Sequence, residues 1–289
     1  MSASSNLPGG ENTYIIDSES GAEMARLLDQ DRLLTRGMGG LFSDLSASEV
    51  SRFHRVLDIG CGPGGWAQEV AFAHPEKEVV GFDISQAMIE YARDQARVQK
   101  LNNVTFYVMN AMEPFAFPDE SFDLVNARLM AGFMVPAAWS SLMQESLRIL
   151  RPGGILRLTE VEIPFTNSLA HETIWRWLYQ ALKQARQSFS PSGNLLGIVP
   201  MLGYFLQQAG FQNIRQVPHV IDYSIGTEFY EGFRQDFWVF SKLLESFLID
   251  KGVTTPEEFD QVYEQMRIEM TADDFRSLRF FFTAIGTRP

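Results

Sequence analysis

The feature that most constrains the fold is the segment Arg55–Ala67, which reads RVLDIGCGPGGWA. Its first residues are apolar and favour a buried strand, a glycine-dense turn follows, and a helical pattern runs from Trp66 to His74. A strand that ends in glycines and continues as a helix is how α/β proteins bring backbone close to a nucleotide-like ligand. Glycine suits such a turn because it tolerates unusual φ/ψ angles and places no Cβ against the ligand.

Two classes of ligand are compatible with this turn. Gly60, Gly62 and Gly65 have the G-x-G-x-x-G spacing of dinucleotide binders, so NAD-dependent oxidoreduction is one hypothesis. Asp58, however, lies inside the apolar strand just before the glycines. A carboxylate there attracts an ammonium or sulfonium group and repels a pyrophosphate on the same loop. The turn therefore favours a cationic ligand over NAD.

Polar side chains also end the next two predicted strands. Asp83 closes the strand that begins at Glu78, nineteen residues after Gly64. An acidic side chain at that place can accept two hydrogen bonds from a ribose diol, although it can also cap the next helix. The third strand begins at Val104, and the side-chain amide of Asn110 lies at its exit, where a base edge can be read. Further strands are predicted over 121–126, 155–160, 211–224 and 278–285.

With the segments Phe117–Asp123 and Leu150–Gly154, these motifs resemble those of class I S-adenosylmethionine-dependent methyltransferases over roughly residues 50 to 163. The resemblance implies an α/β fold with a Rossmann-like, seven-stranded mixed sheet and helices on both faces. It implies S-adenosyl-L-methionine as cofactor and S-adenosyl-L-homocysteine as product. The segment from Glu23 to Gln30, followed by glycines, is similar to the N-terminal region of the small-molecule, natural-product branch, whose members serve secondary metabolism.

The resemblance also assigns residues to the cofactor. In this family the glycine turn holds the methionine part, the residue matching Asp83 holds the ribose, and the residue matching Asn110, more often Asp, faces adenine. Arg128 is expected near the reactive end, where it pairs with the methionine carboxylate or an acidic substrate, or forms a structural salt bridge to Glu160 or Asp58. The predicted cofactor-binding residues are Asp58, Gly60, Cys61, Gly62, Asp83, Ile84, Met88, Asn110, Ala111, Met112 and Arg128.

The 289-residue chain is longer than a minimal core of this kind, which predicts added segments. We expect an N-terminal helical arm or lid over 1–50, the cofactor-binding core over 51–163, a helical cap insertion over 164–200, and C-terminal core strands over 201–289 with a helical insertion at about 225–277. Aromatic residues concentrate in these additions, where they form a helix–helix core, an apolar substrate chamber or a dimer interface. The predicted substrate-pocket residues are Tyr14, Met38, Trp175, Tyr179 and Trp238.

The predicted reaction is methyl transfer to an O, N or C nucleophile of a mostly apolar small molecule, mainly by proximity and desolvation. His171 on the cap insertion and Glu160 at a strand exit are the candidate general bases, although His171 is also compatible with a solvent-facing helix position. No histidine or cysteine spacing suggests a metal, and Cys61 is the single cysteine. Quinone or sterol-like C-methylation and a non-catalytic, cofactor-binding regulatory relative are the alternatives.

Charge and hydropathy limit the partners. The net charge is −12, with acidic residues in excess at both ends of the chain and no basic cluster, which argues against a nucleic-acid substrate. No apolar run approaches the eighteen or so residues of a membrane span, and residues 1–12 lack a signal-peptide pattern. A cytoplasmic monomer or homodimer is therefore expected.

Overall fold

A computed structural model describes residues 14–17 and 19–289 as a mixed α/β protein. Its strands, in chain order, are β1 (Arg55–Ile59), β2 (Glu78–Asp83), β3 (Val104–Val108), β4 (Phe122–Arg128), β5 (Leu150–Val161), β6 (Phe165–Thr166), β7 (Gln212–Asp222) and β8 (Ser277–Thr287). Its helices are α1 (Gly21–Gly37), α2 (Ala47–Val50), α3 (Gly65–Ala73), α4 (Gln86–Val98), α5 (Ala138–Ile149), α6 (Leu169–Gln184), α7 (Val199–Ala209), α8 (Tyr230–Asp250) and α9 (Pro256–Met270), with a 3-10 turn over Met130–Gly132.

The strands form one mixed sheet, which confirms the predicted fold class. Strands β3, β2, β1, β4 and β5 are neighbours in that order and run parallel, whereas β8 is antiparallel to both β5 and β7. The described sheet has eight strands, because the two-residue strand β6 pairs with the start of β8 in addition to the seven expected strands. The carboxyl ends of the five parallel strands therefore meet at one edge, where α/β sheets bind their ligands.

Each face of the sheet carries its own apolar core. Val56 and Leu124 belong to the cluster that contains Trp66 and Val70 of α3. Leu57, their neighbour on β1, belongs to the other cluster, which contains residues of α5, α6, α7, α8 and α9. Because alternate side chains on a strand point to opposite faces, strands covered on both faces read as continuous apolar runs. Asp58 and Asn126 are thus buried polar residues between buried apolar neighbours on their strands.

Added helices cover the edge of the sheet where the parallel strands end. The helix α1 packs against α3 and α8, and α6 packs against α8 and α9. The pair α8 and α9 lies between β7 and β8 in the chain. The division of the chain into an arm, a core and two insertions stays a prediction. Within residues 14–17 and 19–289, none of the helices has the length and apolar character that a bilayer span requires.

Candidate functional site

A cavity lies at the carboxyl edge of the parallel strands. It is bounded by the glycine turn, by the ends of β1, β2, β4 and β5, and by helices α1, α6 and α8. Fifteen of the residues singled out from the sequence line it, which leaves His171, Met38 and Trp238 outside. The fifteen are Tyr14, Asp58, Gly60, Cys61, Gly62, Asp83, Ile84, Met88, Asn110, Ala111, Met112, Arg128, Glu160, Trp175 and Tyr179.

The glycine turn depends on backbone conformations that favour glycine. Gly62 has a φ of +52°, in the left-handed region, and its N–H donates to a carboxylate oxygen of Asp83 at 2.9 Å. At Gly65, which begins α3, an added Cβ would come within 2.5 Å of the carboxylate of Asp31 on α1. The glycines therefore permit two close approaches, one between the turn and β2 and one between α1 and α3.

Asp83 is held at the end of β2 by two backbone donors. One carboxylate oxygen accepts from the Gly62 N–H at 2.9 Å and the other from the Ser85 N–H at 3.0 Å. Burial raises the pKa of Asp83, and these two bonds oppose that rise. Each carboxylate oxygen has a second lone pair, so a fixed Asp83 can still accept from two hydroxyls of a sugar. Its position and chemistry fit a ribose diol.

Asp58 is a buried carboxylate at the floor of the cavity. It is 4% exposed, and burial raises its pKa to about 7. The Asn126 side-chain amide donates to it at 2.8 Å, and Arg157 donates in turn to Asn126 at 2.9 Å. Arg157 pairs with Asp44 at 2.9 Å, so a row of polar side chains crosses three neighbouring strands. A cation in the cavity would favour the ionised form of Asp58.

Arg128 has a partner that the sequence did not reveal. It pairs with Asp31 at 2.5 Å and donates to the Thr35 hydroxyl at 3.3 Å, both on α1, so the predicted salt bridge to Glu160 or Asp58 is wrong. Burial raises the pKa of Asp31, and its pairing with Arg128 opposes that rise. The helical spacing Leu27, Asp31, Leu34 is a signal that could have placed Asp31 on the cavity face of α1.

The amide of Asn110 is occupied by its own turn. Its oxygen accepts from the Met112 N–H at 2.9 Å, and its nitrogen donates to Glu113 at 3.4 Å. The oxygen retains one lone pair that can accept from an adenine amino group. Asn110 therefore both shapes the turn after β3 and presents an acceptor to the cavity.

Glu160 lies in the cavity at the end of β5. One of its oxygens accepts from the Met130 N–H at 2.7 Å and from the Ala131 N–H at 3.2 Å, which fixes the turn after β4. Burial raises the pKa of Glu160 to about 8. Below that pH the carboxyl group is mostly protonated, so near neutrality it donates a hydrogen bond more readily than it takes a proton.

The candidate base His171 requires a correction. It is fully buried beside Phe237 and outside the cavity, and its Nε2 accepts from the Trp175 indole N–H at 3.0 Å. Burial, followed by the charge of Arg279, lowers the pKa of His171 to about 3. His171 is thus neither solvent-facing nor a base, and it positions the Trp175 ring by hydrogen bonding.

Two predicted pocket residues also lie elsewhere. Met38, which directly follows α1, is 5% exposed and belongs to the apolar core instead of the cavity lining. Trp238 stacks against the guanidinium groups of Arg234 at 4.3 Å and Arg267 at 4.9 Å. On α8 the cavity is lined by Phe240, two residues further along the helix.

A buried polar network closes the cavity above these residues. Tyr14 donates its hydroxyl hydrogen to Glu23 at 2.5 Å, and Arg26 makes a two-pronged contact to the same carboxylate at 2.7 Å. Arg26 also pairs with Asp236 on α8 at 2.8 Å and lies over the Phe240 ring. The network joins Tyr14 and α1 to α8. The Glu23 side chain is fully buried in this network.

The sequence reasoning missed one charged residue at the opposite wall. Arg279 of β8 lines the cavity beside Trp175. Its signal in the sequence is a single basic residue between apolar neighbours, Leu278 and Phe280 to Phe282.

Comparisons with known proteins identify the core. Residues 56–154 match a family model described as a methyltransferase domain. The secondary metabolism regulator laeA of Monascus pilosus is 37% identical over 142 residues, which are 46% of this chain and 34% of that protein. A demethylmenaquinone methyltransferase of Listeria welshimeri is 34% identical over 119 residues, covering 40% of this chain and 48% of that protein. The chain thus spans less than half the length of these two curated relatives.

Solved structures agree in fold over most of the chain. Phosphoethanolamine N-methyltransferase 2 of Haemonchus contortus, in complex with S-adenosyl-L-methionine, is 22% identical with a TM-score of 0.54, covering 94% of this chain and 57% of that chain. The cavity fits S-adenosylmethionine, since it offers buried carboxylates to a cation and Asp83 to a sugar diol. The chain therefore carries a class I S-adenosylmethionine-dependent methyltransferase domain, and S-adenosylmethionine is the cofactor of that domain class.

Proposed function

We propose that this protein transfers the methyl group of S-adenosylmethionine to an O, N or C nucleophile of a mostly apolar small molecule. The observation that carries the proposal is the composition of one continuous cavity. Asp58 and Asp83 line one end of it, and Trp175, Tyr179 and Phe240 line the other. A polar end for a charged, sugar-bearing donor and an aromatic end for an apolar acceptor are what such a reaction requires.

In this proposal the residues of the chain position the donor and the acceptor and exclude water from them. When bound, the cofactor supplies a methyl group already activated by its sulfonium. Asp83 and Asp58 hold the donor, while the aromatic wall and the Tyr14–Glu23–Arg26 network exclude water from the acceptor. Holding the nucleophile about 3–3.5 Å from the methyl carbon contributes on the order of 7–11 kcal/mol to lowering the barrier.

The proposal does not depend on a side chain that removes a proton from the substrate nucleophile. His171 is buried away from the cavity, and burial raises the pKa of Glu160 to about 8. A protonated Glu160 can donate a hydrogen bond to an acceptor oxygen and hold it toward the donor. We therefore propose that catalysis rests mainly on proximity and desolvation, with a nucleophile that enters in its reactive form.

The test has two steps. Calorimetry should show that the purified protein binds S-adenosylmethionine and S-adenosylhomocysteine but not NAD. Incubation with methyl-labelled S-adenosylmethionine and a panel of apolar phenols, amines, carboxylic acids and quinones should then label an acceptor and form S-adenosylhomocysteine. Failure to bind either sulfur compound would contradict the proposal at its first step.

Two alternatives rest on the named relatives. The first alternative is quinone C-methylation, which the similarity to the Listeria enzyme suggests. Transfer of the labelled methyl group to a quinone in the panel would support it. The regulator laeA makes a cofactor-binding regulatory role in secondary metabolism the second, and cofactor binding without turnover on any acceptor supports that. A cytoplasmic location, a monomeric or homodimeric state and the absence of nucleic-acid binding stay predictions.

A further inference from the structure

Arg279 is a buried cation without an acidic partner. It is 7% exposed and lines the cavity from β8. Among residues 14–17 and 19–289, no carboxylate pairs with it and no acceptor takes a hydrogen bond from its guanidinium group. Its Nε is sealed from solvent and unpaired. A buried charge in that state is costly unless something else compensates it.

The other buried arginines of the described chain show what is missing. Arg26 contacts the carboxylates of Glu23 at 2.7 Å and Asp236 at 2.8 Å, and Arg157 contacts Asp44 at 2.9 Å. Arg279 instead lies 4.4 Å from the centre of the Trp175 ring. A cation–π contact orients a guanidinium group, but it leaves the N–H donors free for an anion.

The surroundings of Arg279 add a second free donor. The Tyr179 hydroxyl is buried, lines the same cavity and has no hydrogen-bond partner among the described residues. The Tyr179 ring lies 5.7 Å from the ring of Trp175, which Arg279 also contacts. Burial raises the pKa of Tyr179, and the positive charge of Arg279 opposes that rise. At neutral pH this phenol therefore stays protonated, and its O–H can donate a hydrogen bond to an anion.

We propose that Arg279 and Tyr179 bind an anionic group of the acceptor substrate, such as a carboxylate, a phosphate or an ionised phenol. The apolar body of that substrate then packs against Trp175 and Phe240, which line the same end of the cavity. The proposal rests on the proposed function, because it names the substrate class of the same site. It makes the acceptor an amphipathic anion instead of a neutral apolar molecule.

The rigidity of the site supports a recognition role. Arg279 lies on β8, in register with Ile221 of β7, and Trp175 is fixed by its hydrogen bond to His171. A guanidinium group held on a strand and against a fixed ring loses little freedom on binding, so the anion gains affinity and a defined orientation.

Calorimetry with a pair of matched probes tests the proposal. The probes are 2-naphthoate and 2-naphthamide, titrated into the protein saturated with S-adenosylhomocysteine. Wild-type protein should bind the carboxylate about tenfold or more tightly than the amide, as expected for a charge-assisted hydrogen bond. Arg279→Met should abolish that preference, Arg279→Lys should keep part of it, and Tyr179→Phe should reduce it by a few fold.

Two controls separate this proposal from its alternatives. Arg234→Met removes another ring-stacked arginine, on α8 and outside the cavity, and should leave the preference for 2-naphthoate unchanged. S-adenosylhomocysteine affinity should stay within about twofold in Arg279→Met. A large loss of that affinity would reassign Arg279 to the cofactor carboxylate and overturn the proposal.

The remaining outcomes are equally decisive. The anion-binding proposal is overturned if wild-type protein binds the two probes equally or does not bind 2-naphthoate at all. In either case, binding of S-adenosylhomocysteine would leave the proposed function standing. If wild-type protein does not bind S-adenosylhomocysteine, the proposed function itself is contradicted. If Arg279→Met fails to fold, Arg279→Lys and Tyr179→Phe still decide, because retention of the full preference by both variants overturns the assignment.

Discussion

The two ends of the cavity are built on different principles. The cofactor end comes from short contiguous segments at the ends of neighbouring parallel strands, around Asp58, Asp83 and Asn110. The acceptor end comes from side chains far apart in the sequence, carried by helices and by the antiparallel strand β8. Its main members are Tyr14, Trp175, Tyr179, Phe240 and Arg279.

This difference separates what the fold fixes from what added helices provide. At the cofactor end, backbone groups and carboxylates are placed by the sheet itself, because parallel strands end at one edge. At the acceptor end, the cavity lining depends on the packing of α1 against α8, and the Glu23–Arg26–Asp236 network joins these two helices. Substitutions at the two ends should therefore affect different measurements.

The largest effect is expected where α1 meets α8. Arg26→Met leaves the carboxylates of Glu23 and Asp236 buried without their cation, and breaking a buried pair costs about 3–5 kcal/mol. Urea unfolding should show a free energy of unfolding lower by that amount. The matched control is Arg32→Met, whose pair with Asp29 is exposed on the same helix and should change stability by less than about 0.5 kcal/mol.

A compensating variant sharpens this test. Arg26→Met combined with Glu23→Gln and Asp236→Asn removes the uncompensated charges while keeping similar shapes. It should recover part of the lost stability, since the penalty lies in the unpaired carboxylates. No recovery would show that packing of the Arg26 side chain over Phe240, and not charge, joins the two helices.

The same contrast explains which parts could be predicted from the sequence. The positions of the core strands and the residues that line the cofactor end could be predicted, because the hydrophobic runs, the glycine turn and the residues that follow each strand lie together in the chain. Glu160 was placed in the cavity for the same reason, as the residue near the exit of β5.

The acceptor end could be predicted only in part: Tyr14, Trp175 and Tyr179 line the cavity as expected, but the partners of its side chains could not be predicted. His171 and Trp175 are one helical turn apart, yet only packing against α8 shows that they hydrogen-bond to each other in a buried position. Arg128 and its partner Asp31 are 97 residues apart. Arg279 contacts Trp175 of α6, a helix that ends more than ninety residues earlier in the chain. Such partners are set by how elements dock, and a single sequence carries no direct record of docking.

The next largest effect is expected at the cofactor end. Asp83→Ala removes the two carboxylate oxygens that we propose as ribose acceptors, and one of them also holds the Gly62 N–H. S-adenosylhomocysteine affinity should therefore fall about a hundredfold or more. Calorimetry measures this, with Asp94→Ala on the exposed face of α4 as control. Unchanged affinity in Asp83→Ala would mean that the sugar is bound elsewhere. The S-adenosylhomocysteine affinity of Asp83→Asn should lie between those of Asp83→Ala and wild type, because asparagine keeps one carbonyl acceptor.

A smaller, pH-dependent effect is expected at Asp58. Burial raises its pKa to about 7, so below that pH the free protein must release a proton to offer a carboxylate to a cationic cofactor. Affinity for S-adenosylmethionine should therefore fall as the pH falls, by about tenfold between pH 8 and pH 6. Asp58→Asn should bind weakly with little pH dependence, whereas Asp94→Asn should behave like wild type. An equal slope in Asp58→Asn and wild type would assign the titration to another group.

The smallest effect is expected where the two ends meet, at Glu160. Burial raises its pKa to about 8, so the folded protein holds a proton that the unfolded chain has released, and stability falls as the pH rises from about 4.5 to about 8. Glu160→Gln keeps the acceptor for the Met130 and Ala131 N–H groups and cannot ionise. Relative to wild type, it should gain about 1 kcal/mol of unfolding free energy at pH 6 compared with pH 5, within the range where only the unfolded chain loses the proton. Glu257→Gln, exposed on α9, should show no such difference. A constant difference between Glu160→Gln and wild type across this pH range would mean that Glu160 is ionised in the folded protein, which would return it to the set of candidate bases.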